Sequence, residues 1–274
     1  MFAHQVIESL KLIDVARLPM RDFIITSISN AQQFHMGNIE DLQKFSNHLA
    51  GHILFKDDMA ENVRLPYKLT WFDYTSMSKN KPSKIGILAE ENKKDEIVAI
   101  FFGFSSKLNF WVALPYRIKI SIGTGCSELK NLYSDITKEE VESHFQLEKG
   151  FWLGGLNISL LFLSCKNIGV NKILPPEKLN FKRKNQGKTP LFSYHVLYLR
   201  QTSPKEKSIP QNLWKNRIHL CRGHFKLYTI EHPLFGKFTG RYWWQAQARG
   251  NRKMGIILKD YEICPTLVQP SIVP

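Results

Sequence analysis

The sequence predicts an α+β protein: N-terminal helices, an antiparallel β-meander, central helices and a C-terminal twisted antiparallel sheet with a basic face. Three observations carry this. Apolar residues recur at three- and four-residue intervals near the N-terminus, as in "VIESLKLIDVARL" and "IEDLQKFSNHLAGHILF". Residues 64–122 then change to runs rich in aromatic and β-branched side chains, such as "EIVAIFFGF" and "FWVALPYRIKISIG". Finally, the charge is segregated. Residues 172–253 hold 18 Lys and Arg against three Asp and Glu, leaving 20 against 21 elsewhere.

Taken in order, residues 1–60 read as helical, with Asn38 a candidate cap for the second helix. "EENKKDE", 90–96, reads as a hairpin turn inside the meander, and "SIGTGCSE", 121–128, as a further turn. "DITKEEVESHFQLEKG" opens with Asp135 or Thr137 as cap and acidic residues in the first turn, a helix start. "FWLGGLNISLLFLSC", 151–165, is the most apolar stretch; it is short for a bilayer and holds Gly and Asn, so a buried core helix is expected. "NKILPPEKLNFKRKNQGKTP", 171–190, is full of Pro, Lys and Arg and reads as a loop or lightly structured arm. "LFSYHVLYLR" reads as a strand, 201–212 as a connector, and 217–230, 241–249 and 254–263 as three β segments before a proline-bearing extended tail. The expected division is 1–170, near neutral, and 171–274, basic and β-rich.

A net charge of +14 on 274 residues favours a polyanionic partner, nucleic acid before membrane. Cys126, Cys165, Cys221 and Cys264 fit neither zinc knuckles nor a disulfide framework, and the N-terminus lacks a secretory apolar run. Free thiols in the reducing cytoplasm of a bacterial host are expected, with no cofactor, no metal and no membrane association. Neither "GxxxxGK[ST]" nor "GxGxxG" occurs.

"RIHLCRGHFKLY", 217–228, gathers two histidines, three cations and a phenol. As a strand it alternates polar and apolar residues, but the parity changes at Gly223. A β-bulge at that glycine would line up Arg217, His219, His224, Lys226 and Tyr228 on one face. In "RYWWQAQARG" the face Arg241, Trp243, Gln245, Gln247 and Arg249 would then join it, offering cations for phosphates and an exposed indole for bases. RNA can be cut without metal if one group removes the 2′-OH proton and another protonates the leaving oxygen. His219 and His224 suit those roles, Arg222, Lys226 and Arg249 would stabilise the phosphorane, and Tyr228 or Tyr242 would orient a phosphate. Two-metal cleavage needs clustered carboxylates, and 172–253 has only Glu177, Glu206 and Glu231 unless Asp73, Glu90, Glu91 or Asp95 joins them. Lys182, Arg183, Lys184 and Lys188 form a second basic group able to follow a phosphate backbone.

"RLPYKLTWFDY" (64–74), "LPPEKLNFKRKNQGKTPLFSYHVLYL" (174–199) and "RIHLCRGHFKLYTIEHPLFGKFTGRYWWQAQARG" (217–250) together resemble a family of uncharacterised proteins carried by bacteriophages, prophages and other mobile elements. The likeness is dense in the C-terminal half and patchy before it. It implies a mobile-element setting and no particular activity. It draws attention to Asn180, Arg183, Gly187, His219, Arg222, His224 and Arg249; this chain departs from the pattern at Gln247, where relatives tend to carry histidine. The combined expectation is a nucleic-acid-binding protein, RNA preferred to DNA, with metal-independent RNA cleavage as its candidate chemistry. A binding module without catalysis, and an inhibitor or adaptor that grips a host protein, are the alternatives.

Overall fold

The computed structural model describes residues 1–39, 64–78, 81–93, 96–121, 125–200, 217–221, 224–244, 247–249 and 251–256; of 77–78, 81, 93, 125–127, 217–221, 247–249 and 251–256 it describes the backbone path. The fold is α+β. Among the described residues there are α1 (Ala3–Leu10), α2 (Arg21–Asn30), β1 (Gln32–Ile39), β2 (Leu69–Ser78), β3 (Lys81–Lys93), β4 (Glu96–Ser105), β5 (Phe110–Ser121) and β6 (Gly125–Asn131). There follow α3 (Lys138–Leu163), β7 (Ile168–Ile173), α4 (Glu177–Asn185), β8 (Tyr194–Leu199), β9 (Arg217–Cys221), β10 (His224–Tyr228), β11 (Gly240–Trp244), β12 (Gln247–Arg249) and β13 (Asn251–Ile256). No described helix is long and apolar enough to cross a membrane.

The chain divides into two compact units. Met1–Leu163 with Val170–Leu197 forms the first, and Ser164–Gly169 with Tyr198–Pro274 the second. The boundary expected at 170/171 therefore falls differently: the basic stretch 170–197 groups with the N-terminal unit.

One sheet runs β6-β5-β4-β3-β2-β1-β8-β7. Strands β2 to β5 form the expected antiparallel meander, and β6, which begins inside the stretch read as a turn at 121–128, adds one more antiparallel strand. Within the hairpin placed at 90–96, β3 and β4 stay paired as far as Lys93 opposite Glu96. Strand β1 is parallel to both β2 and β8. It corrects the all-helical reading of residues 1–60, and Asn38 lies within it rather than at a helix start. The expected second helix, 39–55, lies almost wholly outside the described residues.

Alternation along β2 sends side chains to both faces. Trp71 joins Val6, Ile7, Leu10, Ile24, Ile28, Phe102 and Trp111 in the core beneath α1 and α2. Tyr74 faces α3, where Gly155 lies against it, and Trp152 and Phe145 of that helix pack on Phe101 and Tyr116. The unit thus has helices on both faces of its sheet. The two helical signals at 135–150 and 151–165 are one continuous helix, α3, opened by a capping box in which Glu140 N donates to Thr137 Oγ1 and Thr137 N donates to Glu140 Oε2.

The arm expected at 171–190 contains a helix, α4. Its end is a Schellman closure: Lys188 N donates to Arg183 O, Gly187 N to Lys184 O, and Gly187 has φ +66°. The run of cations hid the helix because it leaves no apolar stripe; no residue of α4 is buried.

Burial raises the Tyr74 phenol far above the ordinary tyrosine value, and its hydroxyl has no hydrogen-bond partner among the described residues. A Cβ built on Gly155 would lie 1.7 Å from that oxygen. Gly155→Ala is therefore expected to lower unfolding free energy by about 1–3 kcal/mol through overpacking. Tyr74→Phe, which deletes an orphaned buried hydroxyl, is expected to be neutral or stabilising by about 1 kcal/mol and to relieve part of the Gly155→Ala loss. Urea denaturation of the three variants checks both directions; additive losses in the double variant would refute the close contact.

Candidate nucleic-acid interface

Strands β10 and β11 form an antiparallel hairpin in the second unit. His224 faces Trp244, Phe225 faces Trp243, Lys226 faces Tyr242, Leu227 faces Arg241, and Tyr228 faces Gly240. Directly opposed residues share a sheet face. One face therefore carries His224, Lys226, Tyr228, Tyr242 and Trp244, and the other Phe225, Leu227, Arg241 and Trp243. His224 and Lys226 are exposed. The Lys226 ammonium lies 4.7 Å from the Tyr228 ring centroid, and Tyr228 meets Tyr242 edge to face at 5.7 Å.

This corrects the face expected for β11. Arg241 and Trp243 are 4% and 6% exposed. Trp243 packs on Phe225 with ring centroids 4.7 Å apart. The Arg241 guanidinium donates from Nη1 to Ser164 Oγ at 2.6 Å, and its burial lowers its pKa from the ordinary arginine value. The free edge of β11 is covered by segment 164–167. Lys166 N donates to Arg241 O, Trp243 N to Asn167 Oδ1, and Asn167 Nδ2 to Trp243 O. Arg241 and Trp243 thus hold the unit together instead of presenting themselves to a ligand. Cys165 lies in the same interior, and burial pushes its thiol up to about 12, which leaves it an unreactive neutral group at neutral pH.

Strand β9 pairs antiparallel with β12: His219 faces Arg249, Leu220 faces Ala248, and Cys221 faces Gln247. It pairs parallel with β13 on its other side. Cys221 opposite Gln247 and His224 opposite Trp244 leave two intervening residues on each strand. The bulge expected at Gly223 falls on residues outside the described ones. Arg222, Gly223 and Gln245 lie outside the described residues, as do the side chains of Arg217, His219, Gln247 and Arg249. Backbone register does bring His219 opposite Arg249. Whether the two imidazoles share a cleft is outside the described residues.

The second basic group divides. Lys182, Lys184 and Lys188 are exposed on and after α4. Arg183 is not presented to a ligand: Nη2 is 2.9 Å from Glu8 Oε1 on α1, and Nε donates to Thr189 O. Thr189 N also donates to Glu8. Nearby, the Asn180 amide exchanges two hydrogen bonds with the backbone of Leu191. Asn180, Arg183 and Gly187 are the fastenings of α4 within the first unit.

A feature missed in the sequence lies in that unit. Asp73, 1% exposed, accepts from Phe2 N at 2.8 Å, Trp71 Nε1 at 3.2 Å and His35 Nδ1 at 2.5 Å. The carboxylate fixes the Nδ1–H tautomer of His35, whose side chain is 29% exposed. A carboxylate-held imidazole is one way to hold a general base. It is also a way to pin one strand to the next, and the two donors from outside the imidazole favour that role. The only sequence signal was a lone aspartate within "LTWFDYTS". His4 stands near Asp73, Glu8 and Arg183, and burial, then the Arg183 charge, lowers its pKa below the ordinary histidine value. Glu90 faces Leu69 rather than Asp73 across β2 and β3, and Asp95 lies outside the described residues. Glu90 lines a cleft of about 270 Å³ with Phe23, Leu88, Arg117, Lys119 and Lys130, where Lys119 pairs with Glu96 and Lys130 with Glu128. No group of three His, Cys, Asp or Glu among the described residues is placed to hold a metal ion.

Comparison with known protein families, with curated proteins and with solved structures finds no match for the chain.

Asp73→Ala would orphan three donors and is expected to cost about 3 kcal/mol of stability, measured by urea denaturation. A loss below about 0.5 kcal/mol would show that those donors find water instead. His4 gives a pH signature. Its folded pKa lies below 6.5, so between the two values the unfolded chain binds more protons. The His4 contribution is fully present above about pH 6.5 and is lost as pH falls through the folded value. His4→Gln should therefore flatten the fall in melting temperature between neutral and mildly acidic pH; an unchanged profile would contradict the burial.

Proposed function

We propose that the protein binds nucleic acid, RNA in preference to DNA, through its C-terminal unit. The observation that carries this reading is the charge of that unit. Segments Ser164–Gly169 and Tyr198–Pro274 together hold 14 Lys and Arg against four Asp and Glu. Ten of the fourteen net positive charges thus lie in this unit, and the other four in the first, which takes the basic stretch 170–197. The hairpin face His224, Lys226, Tyr228, Tyr242 and Trp244 adds what charge alone lacks: rings beside cations, suited to bases beside phosphates. On the resemblance to mobile-element proteins, the setting is a bacteriophage or similar element acting in the cytoplasm of its bacterial host.

Metal-independent RNA cleavage is the second reading. Its support is the register that sets Arg249 opposite His219, with the exposed His224 following in the next strand along the chain. In that reading His224 exchanges a proton with the 2′-OH or the leaving oxygen, and a neighbouring guanidinium stabilises the phosphorane. An inhibitor or adaptor role would use the same basic surface against an acidic host protein.

Binding of labelled RNA, followed by fluorescence anisotropy, tests the first reading. For about six single-strand phosphate contacts, affinity should fall about three hundredfold between roughly 50 and 200 mM salt. Lys226→Ala should reduce the slope of log affinity against log salt by about 0.7, one single-strand phosphate contact. Absence of binding at low salt overturns the proposal. Incubation with RNA in EDTA decides the second reading: wild type must cut and His224→Ala must not.

A further inference from the structure

The connection between β10 and β11 ends in a turn that its own sequence makes difficult. Leu234 O accepts from Lys237 N at 3.1 Å and from Phe238 N at 3.0 Å, and Leu234 N donates to Phe238 O at 2.7 Å. Between them Phe235 has φ +52° and Gly236 φ +69°. Two consecutive left-handed residues closed by an i to i+3 hydrogen bond are the geometry of a primed turn, whose first central position is normally Asn, Asp or Gly. A Cβ makes this conformation costly, and a bulky residue with positive φ is an outlier. Turn chemistry therefore does not account for phenylalanine at 235. Packing does not account for it either, since Phe235 is 67% exposed. Phe238 and Ile230 on the same connection are exposed too. The main chain here is held by Pro233, whose carbonyl accepts from Gly236 N, and by the bridge Leu234–Phe238.

We infer that Phe235 is a stacking residue for an unpaired base of single-stranded nucleic acid, presented on a rigid turn at the tip of the basic unit. The inference rests on the nucleic-acid reading above and adds the form of ligand. Three features select that occupant. The ring is held by a closed turn, so little side-chain freedom beyond its own χ angles is lost on contact. Lys226 and Lys237 are exposed in the same hairpin, with Glu231 as the single carboxylate between His224 and Trp244. A single strand offers phosphates to the lysines and a bare π-face to the ring, whereas a duplex keeps its base faces in the stack.

Phe235→Asn separates binding from folding, because asparagine suits the left-handed position and removes the ring. The full chain and this variant are compared for binding to a labelled polyuridine strand and to a duplex of the same length, with melting temperature measured alongside. The expected result is an unchanged or higher melting temperature, about tenfold or greater loss of single-strand affinity, unchanged duplex affinity, and recovery in Phe235→Trp. Wild-type affinity retained by the Asn variant overturns the stacking role while leaving the nucleic-acid reading intact. Failure of wild type to bind either polymer removes that reading and this one together. Sedimentation with phosphatidylserine vesicles by wild type but not by Phe235→Asn would assign the tip to a lipid surface and overturn the inference.

Discussion

A buried carboxylate at position 73 is the constraint around which the first unit is arranged. Helix α1 starts without a cap of its own: Phe2 occupies the cap position, and its first turn has no acidic residue. Unsatisfied N–H groups at a helix start attract negative charge. Asp73 supplies it from β2, accepting the Phe2 N–H, and so fixes α1 to the sheet. The same carboxylate takes the indole N–H of Trp71 and the imidazole of His35. Burying an ion is costly unless its lone pairs are filled, and here three elements must come together to fill them. Once α1 is fixed, Glu8 is in place to receive Arg183 and Thr189, and those bonds hold α4. The electrostatic order of the unit therefore runs from Asp73 outward.

Much of this architecture was legible because alternation and periodicity report burial directly. Strands β2 to β5 were readable from their apolar runs, such as Ile97–Phe102 of β4, whereas the polar β6 was read in part as a turn. α3 was readable from Thr137 and Glu140, although the apolar part was separated from it without need. β1 was not readable. "QQFHMGNI" buries Gln33 and Phe34 but leaves His35, Met36 and Gly37 half exposed, so neither a period of two nor one of 3.6 stands out. Parallel strands acquire their pairing from distant segments, here Leu69–Ser78 and Tyr194–Leu199, and a local window has no access to them. α4 was hidden for a different reason. Its order comes from Gly187, Asn180 and the Arg183–Glu8 pair, all polar, and composition alone reads such a stretch as solvated.

The second unit shows how one parity decides a functional reading. Pairing places even-numbered residues of β10 opposite even-numbered residues of β11. Lys226 then shares its face with Tyr242, and Trp243 is turned inward with Arg241. The expected arrangement needed the opposite parity in β11, and separately a bulge at Gly223 to bring His219 onto the face of His224. Hydrophobicity supports the observed choice: Trp243 and Phe225 bury two large rings against each other, which yields more than stacking either against water. What was legible is the set of residues, since His224, Lys226 and Tyr228 do share a face. What was not legible is which partners from β11 stand beside them.

That rearrangement changes which chemistry the surface is fitted for. With Arg241 committed to Ser164 and Trp243 to Phe225, the cations left beside His224 in the hairpin are lysines, and its companions are Tyr228, Tyr242 and Trp244. Ammonium groups attract phosphate as point charges, and rings accept bases without regard to sequence. Phosphorane stabilisation asks for more, a convergent fork of donors at one oxygen. The described hairpin offers the first kind of surface. The second kind depends on Arg222 and Arg249 meeting His219 and His224, so grip and cleavage rest on different residues. A protein of this design can lose the one and keep the other.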